Sequence, residues 1–181
     1  SQLIVGTTKN CILTGTVELG FQPIILGHTD ELCSLASHPS IQQFATSGYD
    51  KVLQLWDAMS HSILWSKDIG VCFLSSWKST YNIDVFQEQA QSLAFTKDGT
   101  TVIVGCTTGR WMVFDIQTRE LLESHSDGAE PIQTIQCSPD GSMLALGSRD
   151  NNIYIYQVSE EGHKYNRVGR CMVCFSCTCN P

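Results

Sequence analysis

Apolar residues in this chain come in short runs, each followed by a turn of small or polar residues, and then by a second run that ends on an aromatic and an acid. Phe44-Ala45-Thr46-Ser47-Gly48 leads through Tyr49-Asp50 to Val52-Leu53-Gln54-Leu55-Trp56-Asp57. The layout returns from Val102 to Asp115 and from Leu144 to Gln157, with Trp56, Phe114 and Tyr156 in one slot. Runs of this length, bounded by turn residues, predict strands. They fall at 2–7, 10–16 and 21–26, then 31–38, 43–47, 52–57 and 62–67. A third set is expected at 90–96, 101–106, 110–115 and 120–124, and a fourth at 131–137, 142–147, 152–157 and 164–168. Lys97-Asp98-Gly99 and Pro139-Asp140-Gly141 carry the Asp-Gly chemistry of tight strand reversals.

The spacing is regular. Ser47 to Gly105, Trp56 to Phe114 and Asp57 to Asp115 are each a step of 58 residues, and Gly99 to Gly141 and Phe114 to Tyr156 are each a step of 42. Gly6 to Gly48 is again 42. A period of 42 with 16 extra residues before the third unit describes a repeat of four short strands, the pattern of a propeller blade. The expected fold is an all-β propeller fragment of about four blades whose ring does not close. The units are 1–26 (a partial blade supplying strands two to four), 27–68 (a complete blade), 69–89 (an insertion between blades), 90–128 (a third blade), 129–170 (a fourth) and 171–181 (a cysteine-rich tail that breaks the pattern).

Gly27-His28 followed by Trp56-Asp57 resembles the GH…WD frame of WD-repeat proteins. The wording G-F-Q-P-I-I-L-G-H-T-D-E-L, L-W-D-A-M-S-H, T-G-R-W and G-S-R-D-N-N-I-Y-I-Y further resembles the echinoderm microtubule-associated protein-like family, most of all its long members with tandem propeller modules. In WD repeats a His entering the blade, a hydroxyl on the second strand, an Asp in the turn and a Trp on the third strand form a hydrogen-bond chain. By that resemblance the set here is His28, Thr46 (or its neighbour Ser47), Asp50 and Trp56. A buried imidazole and carboxylate are costly unless every donor and acceptor is paired, so a linked tetrad is read as structural. A His beside an Asp and a Ser also suggests a hydrolytic triad, but a Trp N–H ends this chain and no glycine elbow or oxyanion loop accompanies it. The third unit has Thr108 in the Asp50 slot and Phe86 in the His28 slot, and the fourth keeps Asp150 but has Gly128 for His28.

Composition narrows the function further. With 42% hydrophobic and 16% charged residues the chain is foldable. A net charge of −7 without a Lys/Arg cluster argues against nucleic acid and against an anionic membrane surface. No apolar run reaches the length of a spanning helix. Nine cysteines, mostly single ones at strand positions, fit reduced thiols in a cytosolic protein. Cys171, Cys174, Cys177 and Cys179 offer four thiolates, yet so contiguous a run strains to surround one ion. The tail is therefore read as an off-pattern terminus, with no metal and no cofactor. The insertion carries Val71, Cys72, Phe73, Leu74 and Trp77, an apolar load that fits either a partner contact or a spliced segment without a role.

The resemblance implies a non-catalytic interaction module that binds tubulin or microtubules and modulates their assembly, in the cytoplasm and cytoskeleton. It implies no small-molecule substrate. The competing expectation is a generic WD-repeat scaffold that recruits other proteins without touching tubulin.

Overall fold

The computed structural model describes residues 2–8, 12–25, 27–70, 88–159 and 164–172, and every regular element within them is a strand. The first sheet is three-stranded, in the order β1 (Leu3–Gly6), β2 (Ile12–Thr16), β3 (Gly20–Ile25). The second runs β4 (Leu32–Ser37), β5 (Gln43–Gly48), β6 (Val52–Asp57), β7 (Ser62–Asp68). The third runs β8 (Ala90–Phe95), β9 (Thr101–Cys106), β10 (Arg110–Asp115), β11 (Leu121–Ser126). The fourth runs β12 (Ile132–Cys137), β13 (Met143–Ser148), β14 (Asn152–Val158), β15 (Tyr165–Met172). All pairings are antiparallel between neighbours in sequence. The architecture is an open array of propeller blades, as the repeat implied.

The repeat extends to irregularities of register. The innermost pairing slips between Leu32 and Ser34, between Ala90 and Ser92, and between Ile132 and Thr134. The third and fourth strands slip at Leu55/Trp56, Val113/Phe114 and Ile155/Tyr156. These positions are again 58 and then 42 residues apart. A bulge adds local twist, and a blade needs that twist in the same place each time.

Turn chemistry explains the recurring acids. Asp57 accepts hydrogen bonds from the Met59 and Ser60 amides, both at 2.8 Å, and Asp115 accepts from Gln117 and Thr118. The acid after the third strand is thus an Asx cap on the turn that follows. Asp98 and Asp140 close the turns between first and second strands, accepting from Thr96 and Thr100 and from Ser138 and Ser142.

The core lies between sheets, and alternation along each strand sorts its residues. Val102, Val104, Met112 and Phe114 face the second sheet, against Leu53, Leu55, Trp65 and Ile69. Ile103, Trp111 and Val113 face the fourth, against Ile132, Leu144, Leu146 and Tyr156. With both faces covered, β9 is buried at every residue, whereas β13 alternates. Each fully buried side chain of this size contributes about 1.5–3 kcal/mol, so the third blade is the most firmly held. The first sheet is the opposite case: Leu3, Ile4, Val5 and Phe21 are exposed.

Most strands fall within a residue of their expected bounds, and two run further past their expected ends. β15 runs to Met172 rather than 168, because its pairing follows β14 down to Asn152, Met172's partner. Cys171 and Met172 are therefore strand residues. β11 ends at Ser126 rather than 124 because Ser126 pairs with Arg110, where β10 begins. Of the insertion expected at 69–89, residues 71–87 lie outside the described residues, as does the tail beyond Met172, while Ile69 and Glu88 at its two ends are buried.

Candidate functional site

The structure brings His28, Thr46, Asp50 and Trp56 together. Thr46, on β5, is buried, and its Oγ1 accepts from Trp56 Nε1 at 2.8 Å and lies 2.8 Å from His28 Nε2. A carboxylate can only accept, so the imidazole faces Asp50 with its N–H and leaves Nε2 to take the Thr46 hydroxyl proton. His28 then carries its own proton on Nδ1 and donates it to Asp50, with both carboxylate oxygens at 3.0 Å. Asp50 also accepts the Thr29 amide at 2.9 Å and the Val52 amide at 3.2 Å. The chain ties the loop before β4 to β5 and β6. Of the two hydroxyls considered, Thr46 takes the position, while the Ser47 hydroxyl is buried without a hydrogen-bond partner. With one imidazole nitrogen on a carboxylate, the other on a threonine and the indole closing the chain, every strong donor is consumed inside the blade.

The third blade has no equivalent set. Thr108 stands in the Asp50 slot with a buried hydroxyl that has no partner among the described residues, and Phe86 lies outside them. The fourth blade solves the same problem differently. A side chain at Gly128 would meet Asp150 Oδ2 and the Tyr154 hydroxyl at 3.5 Å, so the tyrosine reaches the space beside the carboxylate from the third strand. Tyr154 donates to Asp150 Oδ2 at 2.5 Å, and the Asn152 amide donates to Oδ1 at 3.0 Å. Burial pushes the Asp150 carboxyl upward, but hydrogen bonds from Tyr154, Asn152 and Ser148 outweigh it and bring the group down to about 2.

Sequence reasoning missed a second buried carboxylate. Asp127, whose side chain is only 2% exposed, accepts from Trp111 Nε1 at 3.0 Å and from the Tyr156 hydroxyl at 2.5–2.6 Å, with Arg167 Nη1 at 3.4 Å. His125 stacks on Trp111 with ring centroids 4.4 Å apart. The signal was a Trp-Asp pair split between a strand and the loop after the next strand, which no local motif displays.

A cleft of about 430 Å³ opens between the third and fourth blades, lined by Lys97, Asp98, Cys137, Asp140, Ser142 and Tyr165. Burial, with Asp98 adding to it, pushes the Cys137 thiol up to about 11, so it stays protonated at neutral pH. Among the described residues, no three His, Cys, Asp or Glu side chains are grouped to hold a metal ion, and no helix is long and apolar enough to cross a membrane. Cys174, Cys177 and Cys179 lie outside that region.

Residues 32–177 match the family model for the echinoderm microtubule-associated protein second beta-propeller. The chain belongs to that family. It is 46% identical over 169 residues to human echinoderm microtubule-associated protein-like 1, a match covering 93% of this chain and 19% of the relative. Identity is 45% over 172 residues to the human like-3 protein, covering 95% and 17%, and 41% over 169 residues to the human like-2 protein, covering 93% and 23%. The chain thus spans about a fifth of the length of these relatives. Among solved structures, Sqt1 of Saccharomyces cerevisiae superimposes with a TM-score of 0.62 at 20% identity, covering 81% of this chain and 36% of that one, which supports the propeller fold alone.

Proposed function

We propose that this chain is a non-catalytic protein-interaction module which binds tubulin or microtubules and acts in the cytoplasm at the cytoskeleton. The observation that carries the reading is membership in a family whose relatives are named for microtubule association, over more than nine-tenths of this chain. The described site supports it: the polar residues that superficially resemble a catalytic set are engaged with one another, leaving exposed turns and strand edges as the surface on offer. His28, Thr46, Asp50 and Trp56 serve to hold the second blade, with no part in chemistry. The test is co-sedimentation of the chain with polymerised tubulin, with gel filtration against soluble tubulin in parallel, at low and physiological salt. Saturable binding to either is expected; a folded chain that binds neither overturns the reading.

One observation favours a second reading, a scaffold that recruits other proteins without touching tubulin. The chain carries a net charge of −7, and tubulin surfaces are acidic, so long-range electrostatics oppose the encounter. Under this reading tubulin binding is absent at every salt concentration. Under the first it strengthens as salt rises from low to physiological, because screening weakens the repulsion.

A further inference from the structure

The four sheets end on outer strands of different character. β3 contains Pro23, which has no N–H to offer a further strand. β7 carries Lys67 and Asp68 together, and Lys67 is occupied, donating to the Arg119 carbonyl and lying 5.3 Å from the Phe114 ring centroid. β11 carries Glu123 and no Lys or Arg. β15 alone is purely cationic: Tyr-Asn-Arg-Val-Gly-Arg-Cys-Met holds Arg167 and Arg170, with Lys164 just ahead of it and no acid. In a chain of net charge −7 this concentrates positive charge on one edge.

The bulge in this strand sets the geometry. Residues three apart on a regular strand point to opposite faces. Here the register slips between Ile155 and Tyr156, so that Arg167 pairs with Tyr156 and Arg170 with Tyr154. Tyr154 and Tyr156 are two apart and share a face, so the bulge places both arginines on that face as well. Their guanidinium carbons lie 4.8 and 5.7 Å from the Tyr154 ring centroid. The stacking holds two long side chains in place. Arg167 shares one nitrogen with Asp127 yet remains 43% exposed, and Arg170 is exposed. At eight residues β15 is the longest strand described, and among the described residues it is paired on one side only, with β14.

We infer that the β15 edge binds an acidic, extended polypeptide by strand addition, with carboxylates at alternate positions of the added strand meeting Arg167 and Arg170. Two requirements select this occupant. An open ladder of backbone N–H and C=O groups is satisfied by another peptide backbone, which neither nucleic acid nor lipid supplies. Two guanidiniums fixed on one face select carboxylates spaced two residues apart, the period of a strand. The bulged Val168 is 53% exposed and offers the incoming strand an apolar contact. The inference goes beyond the tubulin reading and holds whether or not tubulin is the partner.

The test uses the 181-residue chain and synthetic ten-residue peptides alternating Glu and Val, against the same peptides with Lys for Glu and against the Glu peptide N-methylated at alternate amides. Binding is read by fluorescence anisotropy and by slowed hydrogen exchange of β15 amides. The Glu peptide is expected to bind and the Lys peptide not to, and Arg170→Glu is expected to weaken binding roughly tenfold or more. Arg170 is exposed and makes no ion pair among the described residues, so this variant is expected to keep the fold, which circular dichroism checks. Loss of binding on N-methylation supports strand addition; full binding by the N-methylated peptide overturns it. Failure of the Glu peptide to bind, or protection of β15 by self-association without any peptide, overturns the proposal outright.

Discussion

The Thr46 hydroxyl accepts the Trp56 indole proton at 2.8 Å, and through that one contact β5 and β6 are joined to the loop that carries His28. The hydroxyl is the node of the chain, because it serves as acceptor for one neighbour and donor to the other. Thr46→Val removes both bonds and leaves the His28 Nε2 and the Trp56 N–H unpaired, at a cost of about 2–4 kcal/mol. Trp56→Phe removes one bond and keeps the stack on Phe44, whose ring is 5.9 Å away and nearly parallel, so it costs less, about 1–2 kcal/mol. Urea denaturation of the two variants checks the order; equal losses would mean that the indole, not the hydroxyl, is the centre of the arrangement.

Two histidines are fixed in opposite tautomers. His28 carries its proton on Nδ1, facing Asp50. His38 Nδ1 accepts the Ser40 and Ile41 amides at 3.1 and 3.2 Å, so the proton sits on Nε2 and is donated to the Gly99 carbonyl at 3.1 Å. Long-range ¹H–¹⁵N correlation spectra at neutral pH are expected to show one Nδ1–H and one Nε2–H imidazole assigned to these residues. Matching tautomers would contradict the hydrogen-bond directions.

The His38 contact also joins blades two and three. Gly99 has a φ of +73°, and a Cβ there would fall well inside van der Waals contact of the His38 ring. Gly99→Ala therefore combines backbone strain with a clash, for a loss of roughly 2–4 kcal/mol. Adding His38→Ala relieves the clash but not the strain. The double variant is expected to be more stable than the sum of single losses implies, and simple additivity in a double-mutant cycle would show that the two residues do not press on each other.

The strands and their grouping were legible in the sequence because a 42-residue period repeats turn chemistry and apolar runs together. Thr46 and Trp56 were legible too, since the resemblance supplied their slots. What escaped was whatever depends on two blades at once. Tyr154 substitutes for the missing histidine only because Gly128 leaves room beside Asp150, and Asp127 is buried only because Trp111 and Tyr156 reach it from different sheets. The length of β15 was set by pairing with β14, which pattern along a single strand does not encode.

Asp127 is the buried carboxylate on which the third and fourth blades converge. Asp127→Asn keeps the size but halves the acceptors, removes the charge facing Arg167 and turns an amide N–H₂ toward the Trp111 and Tyr156 donors. Breaking such a set costs about 3–5 kcal/mol. Intrinsic tryptophan fluorescence should report it, because Trp111 is fully buried: the variant is expected to unfold at lower denaturant and to show red-shifted emission before global unfolding. A shift in midpoint of less than a few tenths of a molar in urea would mean that the indole and phenol find other acceptors.

Alkaline stability follows from the phenols of the fourth blade. Burial raises Tyr165 from 10.0 to about 12, and burial together with the Asp127 hydrogen bond raises Tyr156 well above its usual range. Tyr154 is raised as well, by burial and by Asp150. A group whose pKa is higher in the folded state contributes stability that is fully present below its unfolded value. That stability is lost as pH rises through the folded value, because only the unfolded chain releases the proton in between. Stability is therefore expected to hold to about pH 9, where the buried Cys137 thiol begins to contribute to the loss, and to fall more steeply from about 10 to 12 as the phenols follow, with the β12–β15 sheet leading. The check is denaturant unfolding across this range, with tyrosinate absorbance recorded in parallel. Tyr165→Phe should flatten the decline, since the buried side chain keeps its packing and no longer titrates. A decline that is unchanged in this variant would place the alkaline sensitivity on other groups.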